Sequence, residues 1–199
     1  MIAGGYNNAD ALDVDLSFSF FFSDYWGITA GITGISKFKG EKTYTGITDN
    51  NERWNIRGED AEVGQLLFRA ALRLRSPEFP LPLVKNWMLS ANIEPGIYVV
   101  AIPDERISVP FYAEEDINMI NPTHRKHIDN EGGQSAAWHM KNYIEIRVDN
   151  MLFSVGYVLS NFDVYSSRRH IKIEEYSLNQ LLPDKKLSFT TFAMIGYRF

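Results

Sequence analysis

The chain of 199 residues contains no cysteine, which excludes a disulfide framework and thiolate chemistry while fitting any compartment. It has no apolar run near the ~18 residues that a membrane-spanning helix needs. It lacks an excess of basic charge: 20 Lys and Arg against 25 Asp and Glu give −5. Nucleic-acid binding asks for a basic face, so no nucleic-acid partner is expected. The opening stretch, MIAGGYNNADALDVDL, has no basic segment followed by an apolar core and does not read as a signal peptide. Taken alone, these absences suggest a cytosolic protein. Helical periodicity is scarce too, confined to short stretches such as IEEYSLNQLL.

Period-2 alternation is abundant. In ALDVDLSFSFFF, Leu12, Val14, Leu16, Phe18, Phe20 and Phe22 share one phase, and Asp13, Asp15, Ser17 and Ser19 share the other. The pattern recurs in WGITAGITGISKF, VGQLLFRAALRLR, WMLSANIEPGIYVVAI, WHMKNYIEIRV, MLFSVGYVLSNF and the terminal KLSFTTFAMIGYRF. Seven strands are therefore expected, with a bulge at Pro95-Gly96 because proline cannot donate to a ladder. Aromatic residues at 14% fit β structure or a membrane interface.

The connections are of two kinds. Ser23 to Tyr25 and Asp149-Asn150 are hairpin-tight, whereas 39–62, 103–137 and 164–185 are long and polar. Compact soluble domains rarely carry several loops longer than ~12–15 residues. Alternating short and long links are what an up-and-down barrel shows when its ends face different surroundings. The apolar phase is almost uncharged over about ten residues per strand, close to the ~9–11 that a transmembrane β-strand needs. Trp26, Trp87, Trp138, Tyr197 and Phe199 sit at the strand rims as interfacial girdles. The polar phase carries Asp13, Asp15, Glu94 and Glu145 with Arg69, Arg73, Lys141 and Arg147, a set able to neutralise itself inside a narrow lumen. A soluble lipocalin-like carrier would instead turn the apolar phase inward around a ligand, but Phe18, Phe20, Phe21 and Phe22 would overfill a small lumen.

The terminal GYRF, the segment GYVLSNFDVYSSRR and NIEPGIYVV resemble outer-membrane β-barrel proteins common in Bacteroidota, related in shape to small OmpA/OmpW-type barrels. That resemblance implies a single integral outer-membrane domain over residues 1–199. It also implies lipid and lipopolysaccharide surroundings, and recognition of Ile195, Tyr197 and Phe199 by the outer-membrane assembly machinery. Such barrels have an even strand count with both ends on the periplasmic side. The strand at Ala11 leads into a tight turn, so seven strands leave the parity wrong. The expectation is that a signal peptide and first strand are missing, with residues 1–10 the remnant of the first extracellular loop. An open barrel would follow, edged by the strand at Ala11 and the strand ending at Phe199. The alternative is a short strand stub from Met1 to Tyr6.

Little in the sequence points to catalysis. His124 and His127 form H-x-x-H in a segment that reads as loop, without a third ligand at matching spacing. His139 and Glu145 share the lumen phase near serines, but no nucleophile elbow occurs. The acidic stretches YAEEDINMI and DNEGG lack the ligand spacing of a calcium loop. The basic pairs Arg125-Lys126, Arg168-Arg169 and Lys185-Lys186 fall in or beside the long loops, where they suit lipopolysaccharide phosphates or plain solvation. The expected function is non-enzymatic, without metal or cofactor: a structural or interaction barrel that presents its loops to a surface ligand or protein. A porin-like solute channel is the alternative.

Overall fold

The computed structural model describes residues 1–37, 44–56, 63–82, 84, 86–180, 182 and 187–199. In chain order the strands are β1 (Ile2–Asn7), β2 (Leu12–Phe21), β3 (Trp26–Lys37), β4 (Tyr44–Ile47), β5 (Arg53–Ile56), β6 (Val63–Arg75), β7 (Phe79–Pro80) and β8 (Trp87–Val100). They continue with β9 (Arg106–Tyr112), β10 (His124–Asp129), β11 (Ala136–Val148), β12 (Met151–Ser160), β13 (Lys172–Ile173), β14 (Tyr176–Ser177) and β15 (Ser188–Tyr197). One helical turn, α1 (Ser166–Arg169), precedes β13.

Eight strands pair antiparallel in the order β11-β12-β15-β1-β2-β3-β6-β8, and β8 pairs back onto β11. The sheet is a closed, up-and-down barrel. The expectation of an open barrel is overturned: Ile2–Asn7 is the eighth strand, and it bridges the two supposed edges. Ile2 lies opposite Ile195 of β15 and Leu16 of β2. The short-stub alternative describes this strand. It restores the parity, because β1 runs towards the long-loop end and β2 returns from it.

The expected bulge at Pro95-Gly96 is also absent. Pro95 stands opposite Met140 and Gly96 opposite His139 in an unbroken register. On the other side the ladder to β6 skips the rungs opposite Glu94 and Pro95, yet its register is unchanged from Ala71↔Gly96 to Leu74↔Ile93. The barrel thus tolerates proline by omitting rungs rather than by inserting a residue. Gly96 is required here by close approach: a Cβ would stand 2.3 Å from the Ala70 carbonyl and 2.7 Å from His139 Nε2.

The alternating phases resolve into an inverted molecule, greasy outside and polar inside. Leu16, Phe18 and Ile28 are 58%, 63% and 50% exposed, whereas Arg69 and Lys141 are 3% and 2% exposed. A soluble carrier with its apolar phase inside is incompatible with this arrangement. At the long-loop end the lumen is closed by an apolar plug of Ala11, Ile35, Leu67, Val100, Phe162 and Tyr165 with their neighbours.

Beyond the plug the structure departs from the expectation of plain loops. β10, β9, β5 and β4 form a second, four-stranded sheet. Its core joins Trp54, Ile56, Val109 and Phe111 to Ile171, Ile173 and Leu178 from the last long connection. The long segments fold into a cap with a hydrophobic interior of its own.

Candidate functional site

Two places merit functional scrutiny: the charged lumen and the outer surface of the cap. In the lumen, alternation on β2, β6, β8 and β11 sends every second side chain inward, and the register sets charged residues level with one another. Lys141 is opposite Glu94, and Glu145 is opposite Ser90. Arg69 Nη1 donates to Glu94 Oε2 at 3.0 Å, and its Nε lies 3.3 Å from Asp15 Oδ2. Arg73 donates to Glu145 Oε2 at 2.7 Å and to Asn92 Oδ1 at 3.1 Å, with Glu94 Oε1 3.6 Å away. Lys141 Nζ is 3.6 Å from Asp15 Oδ1. The Tyr143 hydroxyl donates to Glu94 Oε1 at 2.6 Å, and Thr33 donates to Asp15 Oδ2 at 3.0 Å.

Asp15, Glu94 and Glu145 therefore meet Arg69, Arg73 and Lys141 in one connected, formally neutral network. Two residues grouped with them by sequence phase lie elsewhere. Asp13 is held apart, accepting from Asn7 at 2.9 Å and Thr190 at 2.6 Å. Arg147 sits at the tight-turn rim, donating to Glu78 Oε2 at 2.6 Å. Glu78 is also approached by Arg75 at 3.7 Å and Arg198 at 3.3 Å. The Arg147 hydrogen bond, aided by the charges of all three arginines, holds its carboxyl below the ordinary carboxylate range. Sequence phase missed Glu78 because it lies in the proline-rich connection rather than on an alternating strand.

Around Asp13, Asp15, Arg69 and Lys141 the lumen holds little free space. A cavity bordered by Asp13, Asp15, Lys141 and Tyr98 measures about 30 Å³, room for roughly one water. His139 packs its ring against Tyr98 with centroids 4.4 Å apart, and neither ring nitrogen has a hydrogen-bond partner among the described residues. Since Glu145 is engaged by Arg73, His139 and Glu145 do not assemble with a serine into a nucleophilic triad.

On the cap, His124 and His127 lie on strand β10, not in a loop. Their odd spacing sends the two rings to opposite faces of the strand. His124 stacks on Phe111 with centroids 4.9 Å apart. Arg125 and Lys126 are exposed on this same edge strand. Arg168 pairs with Glu105, and Arg169 with Asp163 at 2.6 Å, so that basic pair is neutralised within the cap. Lys185-Lys186 lies outside the described residues. In the stretch YAEEDINMI the Asp116 carboxylate accepts the backbone N–H groups of Ile120 and Asn121, each at 3.0 Å, which closes a turn. That turn leaves Ile117 and Ile120 71% and 67% exposed.

At the other end of the chain, Ile195, Tyr197 and Phe199 all face outward from β15 and the residues after it. No family model and no curated protein matches this chain. Among solved structures, the crystal structure of Ail, the attachment invasion locus protein of Yersinia pestis, in complex with the heparin analogue sucrose octasulfate, aligns with 100% of this chain and 94% of that chain. The identity is 10% and the TM-score 0.38, a likeness too loose to transfer any property of Ail.

Proposed function

We propose that the protein is an integral outer-membrane β-barrel of the structural or interaction type, a rigid non-enzymatic pedestal that holds a folded cap outside the cell. The supporting observation is the inversion of polarity, with an apolar belt outside a lumen packed by neutralised charge. Hydrocarbon solvates such a belt without cost, whereas water does not. The plug and the network also speak against a porin-like solute path, and steady conductance in planar bilayers would contradict this reading. The terminal GYRF and its outward aromatics favour a small barrel of the Bacteroidota type.

In this reading the ligand-facing surface is the cap. Arg125 and Lys126 on its edge strand supply phosphate-directed charge, suited to lipopolysaccharide, and Ile117 and Ile120 supply an apolar tip for a protein partner. Ile195, Tyr197 and Phe199 serve the assembly machinery as well as the lipid. Membrane fractions extracted with alkaline carbonate should retain the protein, and its detergent-solubilised form should migrate faster on gels before boiling than after. Recovery in the soluble fraction without detergent would refute the membrane assignment. Deleting Phe199 should cut the amount of protein in the outer membrane several-fold while leaving the refolding of purified protein in detergent unchanged. Equal membrane levels would remove the assembly role.

A further inference from the structure

The cap sheet ends on β10, and the order β10-β9-β5-β4 leaves that strand with a neighbour on one side only among the described residues. It runs antiparallel to β9, from His124 opposite Phe111 to Asp129 opposite Arg106. All of its residues but Ile128 are exposed. The register fixes where the backbone groups point. Asn130, next after the strand, donates its N–H to the Glu105 carbonyl at 2.9 Å, and bonded pairs recur at every second residue of an antiparallel ladder. His124, Lys126 and Ile128 therefore bond to β9, whereas Arg125, His127 and Asp129 turn their N–H and C=O groups outward. Pro110, which has no N–H to give, stands opposite Arg125, on a rung where none is needed.

Such an edge is a template for a further strand, and charge on an edge deters indiscriminate pairing. Here the deterrent has one sign. Asp129 is already taken by Arg106, whose Nε and Nη2 donate to its two carboxylate oxygens at 2.6 and 3.1 Å. His124 lies 3.6 Å from Glu52. Arg125 and Lys126 project to opposite faces of the strand, and among the described residues neither enters an ion pair.

A second copy of β10 fits this edge poorly. Only residues 125, 127 and 129 can exchange bonds across such a pair, and in no resulting register does Lys126 stand opposite an acid. The register that sets Arg125 against Asp129 sets His127 against itself and Lys126 against Ile128. Phosphate groups would answer both cations, but they accept hydrogen bonds only and leave the outward carbonyls without donors. An extended peptide rich in Asp and Glu supplies donors, acceptors and carboxylates on both faces. We propose that the β10 edge is a strand-addition site for an extended acidic segment of a partner protein. The segment matches the six residues of β10 and sets carboxylates opposite Arg125, Lys126 and His127.

Such a partner rests on the reading of the cap as a surface held outside the cell by a membrane barrel, and the test keeps the two apart. The full chain in lipid nanodiscs is titrated to millimolar concentration with the end-blocked peptide Thr-Val-Glu-Glu-Glu-Thr. The same peptide N-methylated on the alternate residues that would bond to β10, and lipopolysaccharide, are titrated in parallel. Amide hydrogen exchange is followed by NMR at Arg125, His127 and Asp129, with Lys126 and Ile128, bonded to β9, as references. The plain peptide should slow exchange at the three outward amides at least threefold, and the N-methylated peptide should not. Arg125→Glu combined with Lys126→Glu should abolish that protection and confer it on Thr-Val-Lys-Lys-Lys-Thr. Exchange unchanged by the plain peptide, slowed equally by the N-methylated one, or slowed by lipopolysaccharide alone would overturn the strand-addition site and leave the barrel reading standing. Failure of the chain to enter nanodiscs would remove the barrel reading and this inference with it.

Discussion

At the residue scale, the lumen network converts a row of costly groups into a neutral interior. Arg69 and Glu94 side chains are each 1% exposed, so neither has water to fall back on. Buried pairs of this kind add little over an apolar core, but removal of one partner strands the other. Glu94→Gln leaves Arg69 and Arg73 sharing two carboxylates with Lys141, and it should destabilise the barrel by about 3–5 kcal/mol, measured as the shift in urea unfolding in detergent micelles. Glu78 carries a pH dependence of known sign. Its folded-state pKa is depressed by the Arg147 hydrogen bond and the neighbouring arginines, so its contribution is present above the ordinary carboxylate range and lost as pH falls through the lower, folded-state value. Acidification should therefore loosen the tight-turn rim. Glu78→Gln should be less stable at neutral pH and show a flatter acid dependence, read from thermal midpoints over a pH series. The sequence placed most of the network because period 2 assigns each strand residue to one side. It did not separate Asp13 or Arg147 from the rest, since phase reports the face of a strand and not the height along the barrel.

At the scale of elements, the long barrel strands were legible and the short ones were not. VGQLLFRAALRLR reads as one strand because Leu66, Phe68, Leu72 and Leu74 alternate with residues that turn inward. β1 carries the consecutive glycines Gly4 and Gly5, which leave no side chains to show a phase. Gly5 is needed there: a Cβ would stand 2.7 Å from Thr190 Cγ2 on the adjoining strand. The cap strands are hidden for another reason. Three consecutive residues of β5, Trp54 to Ile56, are all buried, because this inner strand of the cap sheet is covered on both faces. Its core is a cluster distinct from the barrel plug, with Leu182 packed against both, and the two should fail separately. Trp54→Ala should cost the cap about 3–5 kcal/mol, so limited proteolysis should cut within residues 103–137 while the barrel still shows heat-modifiable migration. Loss of that migration would mean that cap and barrel fold as one unit.

At the scale of the whole molecule, everything turns on which phase meets solvent. The orientation was legible from uncharged alternate positions, rim tryptophans and unequal loop lengths, and the alternate apolar positions lie on the outside of the barrel. The folded cap was not legible, because it depends on pairing between segments distant in sequence. A chain without cysteine allows single spin labels to be placed without background. The most direct measurement labels Ile28, Ala30 and Ile32, then Thr29 and Thr33, as single cysteine variants in lipid vesicles, and compares relaxation by oxygen with relaxation by a water-soluble nickel chelate. High oxygen accessibility at Ile28, Ala30 and Ile32, with low accessibility to both reagents at Thr29 and Thr33, is the predicted result. Nickel-accessible threonines beside shielded isoleucines would contradict it.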